Sequence, residues 1–175
     1  MSWLKKLAVS VVFYSSLLSC TFSVPQAENA LSQIQALVAR EGLANEVLWL
    51  ASYNGQGAVL KPYAAEGYTV FANESGDAVA FDGWVVRSVL GFGLEQALTV
   101  SDSGWVRSSQ SGKESFFAAC SEWQKDNATK GYQWRQICGI NGHETVISID
   151  ETGSISRIKQ AFGGDLGTLT LNLRR

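Results

Sequence analysis

The chain has 175 residues and a net charge of −2, with 46% hydrophobic against 17% charged residues. That is enough material for one compact domain and too apolar for intrinsic disorder. It also lacks the concentrated basic stripe that a nucleic-acid partner requires.

The chain opens with Lys5-Lys6 followed by the apolar run Leu7 to Ser19. This run is far shorter than the roughly 20 residues of a spanning helix, and it carries Tyr14, Ser15 and Ser16. A charged start and a short apolar core predict a secretory leader over residues 1–19. Its end, Leu17-Leu18-Ser19-Cys20, resembles the lipobox of bacterial lipoproteins. The resemblance implies a diacylglyceryl group and an N-acyl chain on Cys20, with no other cofactor. One acyl chain holds only marginally, so several make a stable anchor. Thr21, standing where an Asp would signal retention at the inner membrane, implies the outer membrane as destination, with the protein facing the periplasm. The leader takes two lysines with it, leaving 12 basic and 16 acidic residues, a net −4.

Residues 20–27 read as a tether, and 28–175 as a single β-rich domain. A helix is predicted over about 28–41, entered from Pro25 and stopped at Gly42. Leu31, Ile34, Leu37 and Val38 mark its apolar face, which would pack on the sheet or cover one end of it. Beyond Gly42 the pattern is of strands only. Glu46–Tyr53 is a strand that Asn54-Gly55 turns back as a hairpin, with Gly57–Leu60 returning and Pro62 closing it. Strands follow at Tyr68–Ala72, Ala78–Phe81 and, after Asp82-Gly83, Trp84–Leu90. Gly91 and Gly93 break the chain around Phe92. Ala97–Val100, Trp105–Ser108, Phe116–Trp123, Tyr132–Cys138, Val146–Asp150, Ser154–Phe162 and Thr168–Leu173 complete the series. Roughly eleven short strands at hairpin spacing predict a mainly β fold, an antiparallel sandwich or an open barrel. With Cys20 assigned to lipid, Cys120 and Cys138 remain as an even pair in an oxidising compartment, which predicts a disulfide.

Asn73–Leu94 resembles a hallmark segment of the YjbF family of lipoproteins, in which a glycine-turned hairpin leads into a G-x-x-V-R/K-T-x-G-L strand. Gly83, Val86, Arg87, Ser88 and Leu94 carry the match. Ser88 stands where the family has Thr, and Val89–Gly93 departs from the pattern. Ile155–Leu173, with Gln160, is similar to the family's C-terminal strands. The resemblance implies an antiparallel β fold and a part in capsule or exopolysaccharide export, and it brings no catalytic residues.

Nothing in the chain spells out catalysis. A lone histidine, His143, lies in Asn141-Gly142-His143-Glu144, a solvated turn by composition, and Gly-x-Ser-x-Gly is absent. With three cysteines and that histidine, no metal centre is expected. Asp77, Asp82, Asp102 and Glu122 sit near strand ends, where carboxylates could pair for glycoside hydrolysis or simply shape turns. The candidate contacts are aromatic and basic: Trp84, Arg87, Trp105 and Arg107. Trp faces stack on sugar rings, and Arg forks onto acidic groups. On a regular strand Trp84 and Arg87 would lie on opposite faces, whereas Trp105 and Arg107 would share one. The expectation is a non-enzymatic outer-membrane lipoprotein that binds polysaccharide or an export-machinery protein. The alternative is an acyl-chain or lipoprotein carrier, an open β-barrel lidded by the helix.

Overall fold

The computed structural model describes residues 47–174, apart from 103, 109–112, 117–119 and 140–142, and apart from the side chains of 107–108 and 113–116. The expected leader, Cys20, the tether and the helix over 28–41 lie outside the described residues.

Thirteen strands follow one another among the described residues: β1 (Leu48–Tyr53), β2 (Gln56–Ala65), β3 (Tyr68–Ala72), β4 (Ala78–Phe81), β5 (Val86–Leu90), β6 (Leu98–Val100), β7 (Trp105–Ser108), β8 (Lys113–Phe116), β9 (Gln124–Asn127), β10 (Tyr132–Cys138), β11 (His143–Ile149), β12 (Ile155–Ala161) and β13 (Thr168–Arg174). All pair antiparallel in one sheet, in the order β8-β7-β6-β5-β4-β3-β2-β1-β13-β12-β11-β10-β9. Consecutive strands lie side by side except β8 and β9, and one pairing joins strands far apart in sequence. The last strand closes onto the first, from Leu48↔Arg174 to Tyr53↔Leu169. And β8 and β9, consecutive in the chain, form the two edges. This is the connectivity of an up-and-down barrel left open along one seam.

Period-two alternation fills the interior. Trp49, Ala51 and Tyr53 of β1 are buried between exposed Leu50 and Ser52, and β11 alternates without a break from His143 to Ile149. Aromatic rings meet in this interior. The Trp49 and Phe71 rings meet at 5.0 Å, and Tyr53 packs on Phe92 and Phe162 at 6.3 and 6.0 Å. The Tyr53 hydroxyl donates to the Leu166 carbonyl, in the short turn between β12 and β13. From β12, the fully buried Gln160 crosses to β5, accepting from the Val86 N–H at 2.7 Å and donating to the Val86 carbonyl at 3.1 Å. One amide thus replaces the strand neighbour that β6 is too short to provide there.

Several sequence expectations are corrected. Pro62 does not close β2, which runs on to Ala65. β2 pairs with β1 up to Leu60 and with β3 from Lys61 onward, so its β1 side is vacated where Pro62 has no N–H to donate. His143 is not a solvated turn residue: it begins β11 with 6% of its surface exposed, directly across from Cys138. Its imidazole lies so close to Gly163 that a Cβ there would come within 2.0 Å of it. Phe116–Trp123 is not one strand either, since β8 ends at Phe116 and β9 starts at Gln124. Gly91-Phe92-Gly93 does break the chain, with all three residues at positive φ (76°, 51° and 75°), and this left-handed turn drives the Phe92 ring into the core. The Asp77 carboxylate holds the turn by accepting from the Phe92 N–H at 2.7 Å. On the opposite sheet face Tyr63, Val70, Ala72 and Ala78 form a second buried cluster.

Candidate functional site

The expected disulfide is present: Cys120 bridges to Cys138 at the end of β10. The Ser121 N–H donates to the Ile137 carbonyl at 2.8 Å, which leaves Cys120 and Cys138 as a non-hydrogen-bonded pair whose side chains approach closely. The bridge fastens the link between the two sheet edges to one wall of the seam.

Beside it the seam opens into a cleft of about 240 Å³. Val85, Arg87, Val100, Ser101, Asp102 and Gly104 form one wall, while Gln136, Cys138 and Thr145 with Cys120 form the other. Arg87 reaches the cleft because β5 does not alternate regularly. The β4–β5 register slips between Ala80↔Ser88 and Phe81↔Val86, a bulge that leaves Arg87 as the extra residue. Bulges re-aim side chains, and this one brings Arg87 into the seam beside inward-facing Val100. The opposite-face expectation for Trp84 and Arg87 presupposes a regular strand, which this bulge interrupts. Trp84, moreover, is not on a strand, since it precedes β5 in the turn from Asp82 to Val85.

Asp82 organises that turn. One carboxylate oxygen accepts the N–H groups of Trp84 at 2.8 Å and Val85 at 2.7 Å, and the other accepts Arg87 Nε at 2.6 Å. Burial, the largest single influence, pushes the Asp82 carboxyl up. The two backbone N–H groups and the Arg87 guanidinium together outweigh it and hold the group below the usual carboxylate range. Arg87 also meets Asp102 at 3.2 Å from its other side, and the Asp102 side chain is fully exposed.

Trp84 is 47% exposed, and its ring borders an aromatic cluster, 5.0 Å from Trp123 and 5.9 Å from Trp134. Tyr132 extends the cluster beyond Trp134, with the Lys125 ammonium 3.8 Å above the Tyr132 ring. Trp134 and Gln136 alternate on the inner face of β10, so the aromatic surface continues into the cleft lining. Of the four candidate contacts, Trp84 and Arg87 are thus joined through Asp82. Trp105 is 40% exposed next to the inward-facing Val106 of β7, and its backbone N–H donates to the hydroxyl of the cleft residue Ser101 at 3.0 Å. Arg107 pairs with Thr99 and Glu114 through the backbone of β7, and its side chain lies outside the described residues.

Gln136, Thr145 and Ser101 escaped sequence reasoning, because no motif distinguishes them from ordinary strand residues. The Asp82-Gly83 turn signal was the clue available for the Asp82 hub. Two of the four carboxylates considered for hydrolysis hold turns. Asp82 has its oxygens occupied by three donors, and Asp77 accepts from Asn73 Nδ2 as well as Phe92 N–H.

No family model matches the chain, and no curated protein matches its sequence. Among solved structures it is similar to that of the hypothetical lipoprotein YmcC from Escherichia coli K12. The identity is 10% and the TM-score 0.49, over 85% of this chain and 94% of the other.

Proposed function

We propose that this chain is a lipid-anchored accessory protein of the outer membrane that binds glycan during capsule or exopolysaccharide export and catalyses no reaction. The observation that carries the reading is the seam cleft lined by the bulge-directed Arg87, with exposed Trp84 adjoining it and its backbone N–H held, like Arg87, by Asp82. An aromatic platform beside fixed hydrogen-bonding groups is the chemistry that holds a sugar ring: the apolar ring face stacks, and the hydroxyls pair. The packed interior favours this over an acyl carrier. Tyr53, Phe81, Phe162 and Leu60 are buried to 2% exposure or less, and the cleft has a mixed polar lining. Its volume also falls below the roughly 300–1,000 Å³ of pockets that enclose drug-sized ligands, as suits a single sugar unit held at a surface. The lipobox resemblance at Leu17–Cys20 supports the anchor. Capture from solubilised outer membranes with the full-length protein tests the reading. Co-purification of cell-surface polysaccharide, lost in Trp84→Ala, is the supporting result. Recovery of lipoprotein-sorting proteins alone, without glycan, would sink it. Fatty-acid labelling that persists in Cys20→Ser would remove the anchor.

A further inference from the structure

Of the two basic residues singled out in the sequence, Arg87 is already spoken for. Arg87 holds Asp82 at 2.6 Å on one side and Asp102 at 3.2 Å on the other. Asp82 is fixed by two backbone N–H groups as well, so an incoming anion has no means of displacing it. Asp102 is exposed and could swing aside, but it would remain at the rim with its charge. Among the described side chains, one guanidinium and two carboxylates therefore give this part of the seam a net charge of −1. The remaining polar lining consists of the hydroxyls of Ser101 and Thr145 and the Gln136 amide, which are uncharged. Another cation near the cluster, Lys125, stands over the Tyr132 ring and is 5.9 Å from the Trp134 ring centre.

From this arrangement we infer that the cleft selects uncharged glycan units, stacked on the adjoining Trp84 and hydrogen-bonded by Asp102, Arg87 and the side-chain carbonyl of Gln136, whose NH2 donates to the Ser121 carbonyl at 3.0 Å, and turns away uronic or sulfated ones. The inference deepens the glycan-binding reading above and rests on it. A uronate entering the cleft would meet a pair of carboxylates whose one counter-charge is shared, and like charges brought together at short range repel. A neutral sugar meets the same groups as acceptors and donors for its hydroxyls, with no charge to bury.

Tryptophan emission of the detergent-solubilised full-length protein gives the test. The ligands are neutral gluco-, galacto- and manno-oligosaccharides, set against oligouronates of matched length. At least one neutral series should give a saturating emission change, with the uronates at least tenfold weaker. Asp102→Asn removes a fully exposed charge without touching the core, and should narrow that gap at least threefold. Uronates binding as tightly as the best neutral series, or an unchanged ratio in Asp102→Asn, would overturn the charge selection while leaving glycan binding intact. Silence of both sets up to millimolar concentration would overturn the glycan-binding reading itself, and the selection with it.

Discussion

Replacing Gln160 by Leu keeps the side chain's volume and removes both hydrogen bonds to Val86, at 2.7 and 3.1 Å. Val86 and Gln160 are both fully buried, so the freed N–H and carbonyl of Val86 find no solvent. An unsatisfied buried polar group costs about 1–3 kcal/mol, so two give roughly 2–6 kcal/mol. Urea unfolding should show that loss as a lower midpoint at unchanged slope, and the melting temperature should fall by about 2–4 °C per kcal/mol. Gln160→Glu adds a sign test. A protonated carboxyl can donate to the Val86 carbonyl and accept from its N–H as the amide does, whereas a carboxylate can only accept. The introduced group should therefore titrate above its unfolded value of about 4.3. At pH values above its folded pKa the variant is destabilised in full. As pH falls through the folded pKa towards about 4.3, stability should return towards wild type, because the folded state is then the stronger proton binder. A Gln160→Leu protein within about 0.5 kcal/mol of wild type would refute the idea that this amide joins the two walls.

Reducing the Cys120–Cys138 disulfide opens a loop with a sequence separation of 18, which should lower stability by about 3 kcal/mol. Differential scanning calorimetry with and without reductant measures it, and an unchanged melting temperature counts against the bridge as a fastener of the seam. Asp82→Ala should cost about 1–3 kcal/mol at neutral pH by freeing the Trp84 and Val85 N–H groups and Arg87. Because the folded Asp82 titrates below its unfolded value of about 3.9, that difference should hold above about pH 4. It should then shrink as pH falls through the depressed folded pKa, and a difference that grows in acid would contradict the sign. Phe92→Ala should lose about 3–5 kcal/mol in denaturant unfolding, since the ring is 5% exposed against Tyr53. A loss under 1 kcal/mol would mean that the left-handed turn anchors nothing.

Much of the fold was legible because hairpins advertise themselves locally. Asn54-Gly55 turns β1 into β2 with both residues at positive φ, 49° and 80°, as the dipeptide implies. The bounds of β3, β4, β7 and β10 agree with the hydrophobic alternation. What stayed hidden depends on partners distant in the chain. Pro62 reads as a terminator, and only the change of neighbour from β1 to β3 permits the strand to continue through it. His143 reads as a turn residue until its strand is set against β10 and Gly163. The disulfide followed from counting cysteines, but its place at the seam required knowing that β8 and β9 are edges. Trp84 and Arg87 were recognised as residue types, and the parity rule then placed them on opposite faces. Trp84 lies in the turn before β5 and a bulge at Val86–Arg87 follows, so no regular strand joins them for that rule to act on.

Isothermal titration of the full-length protein with polysaccharide purified from its own cells bears most directly on the seam cleft as a glycan site. Wild type should bind with a saturable heat, and Trp84→Ala, at a melting temperature showing it folded, should bind at least tenfold more weakly. Equal binding by the two proteins, or no heat from either, would contradict it.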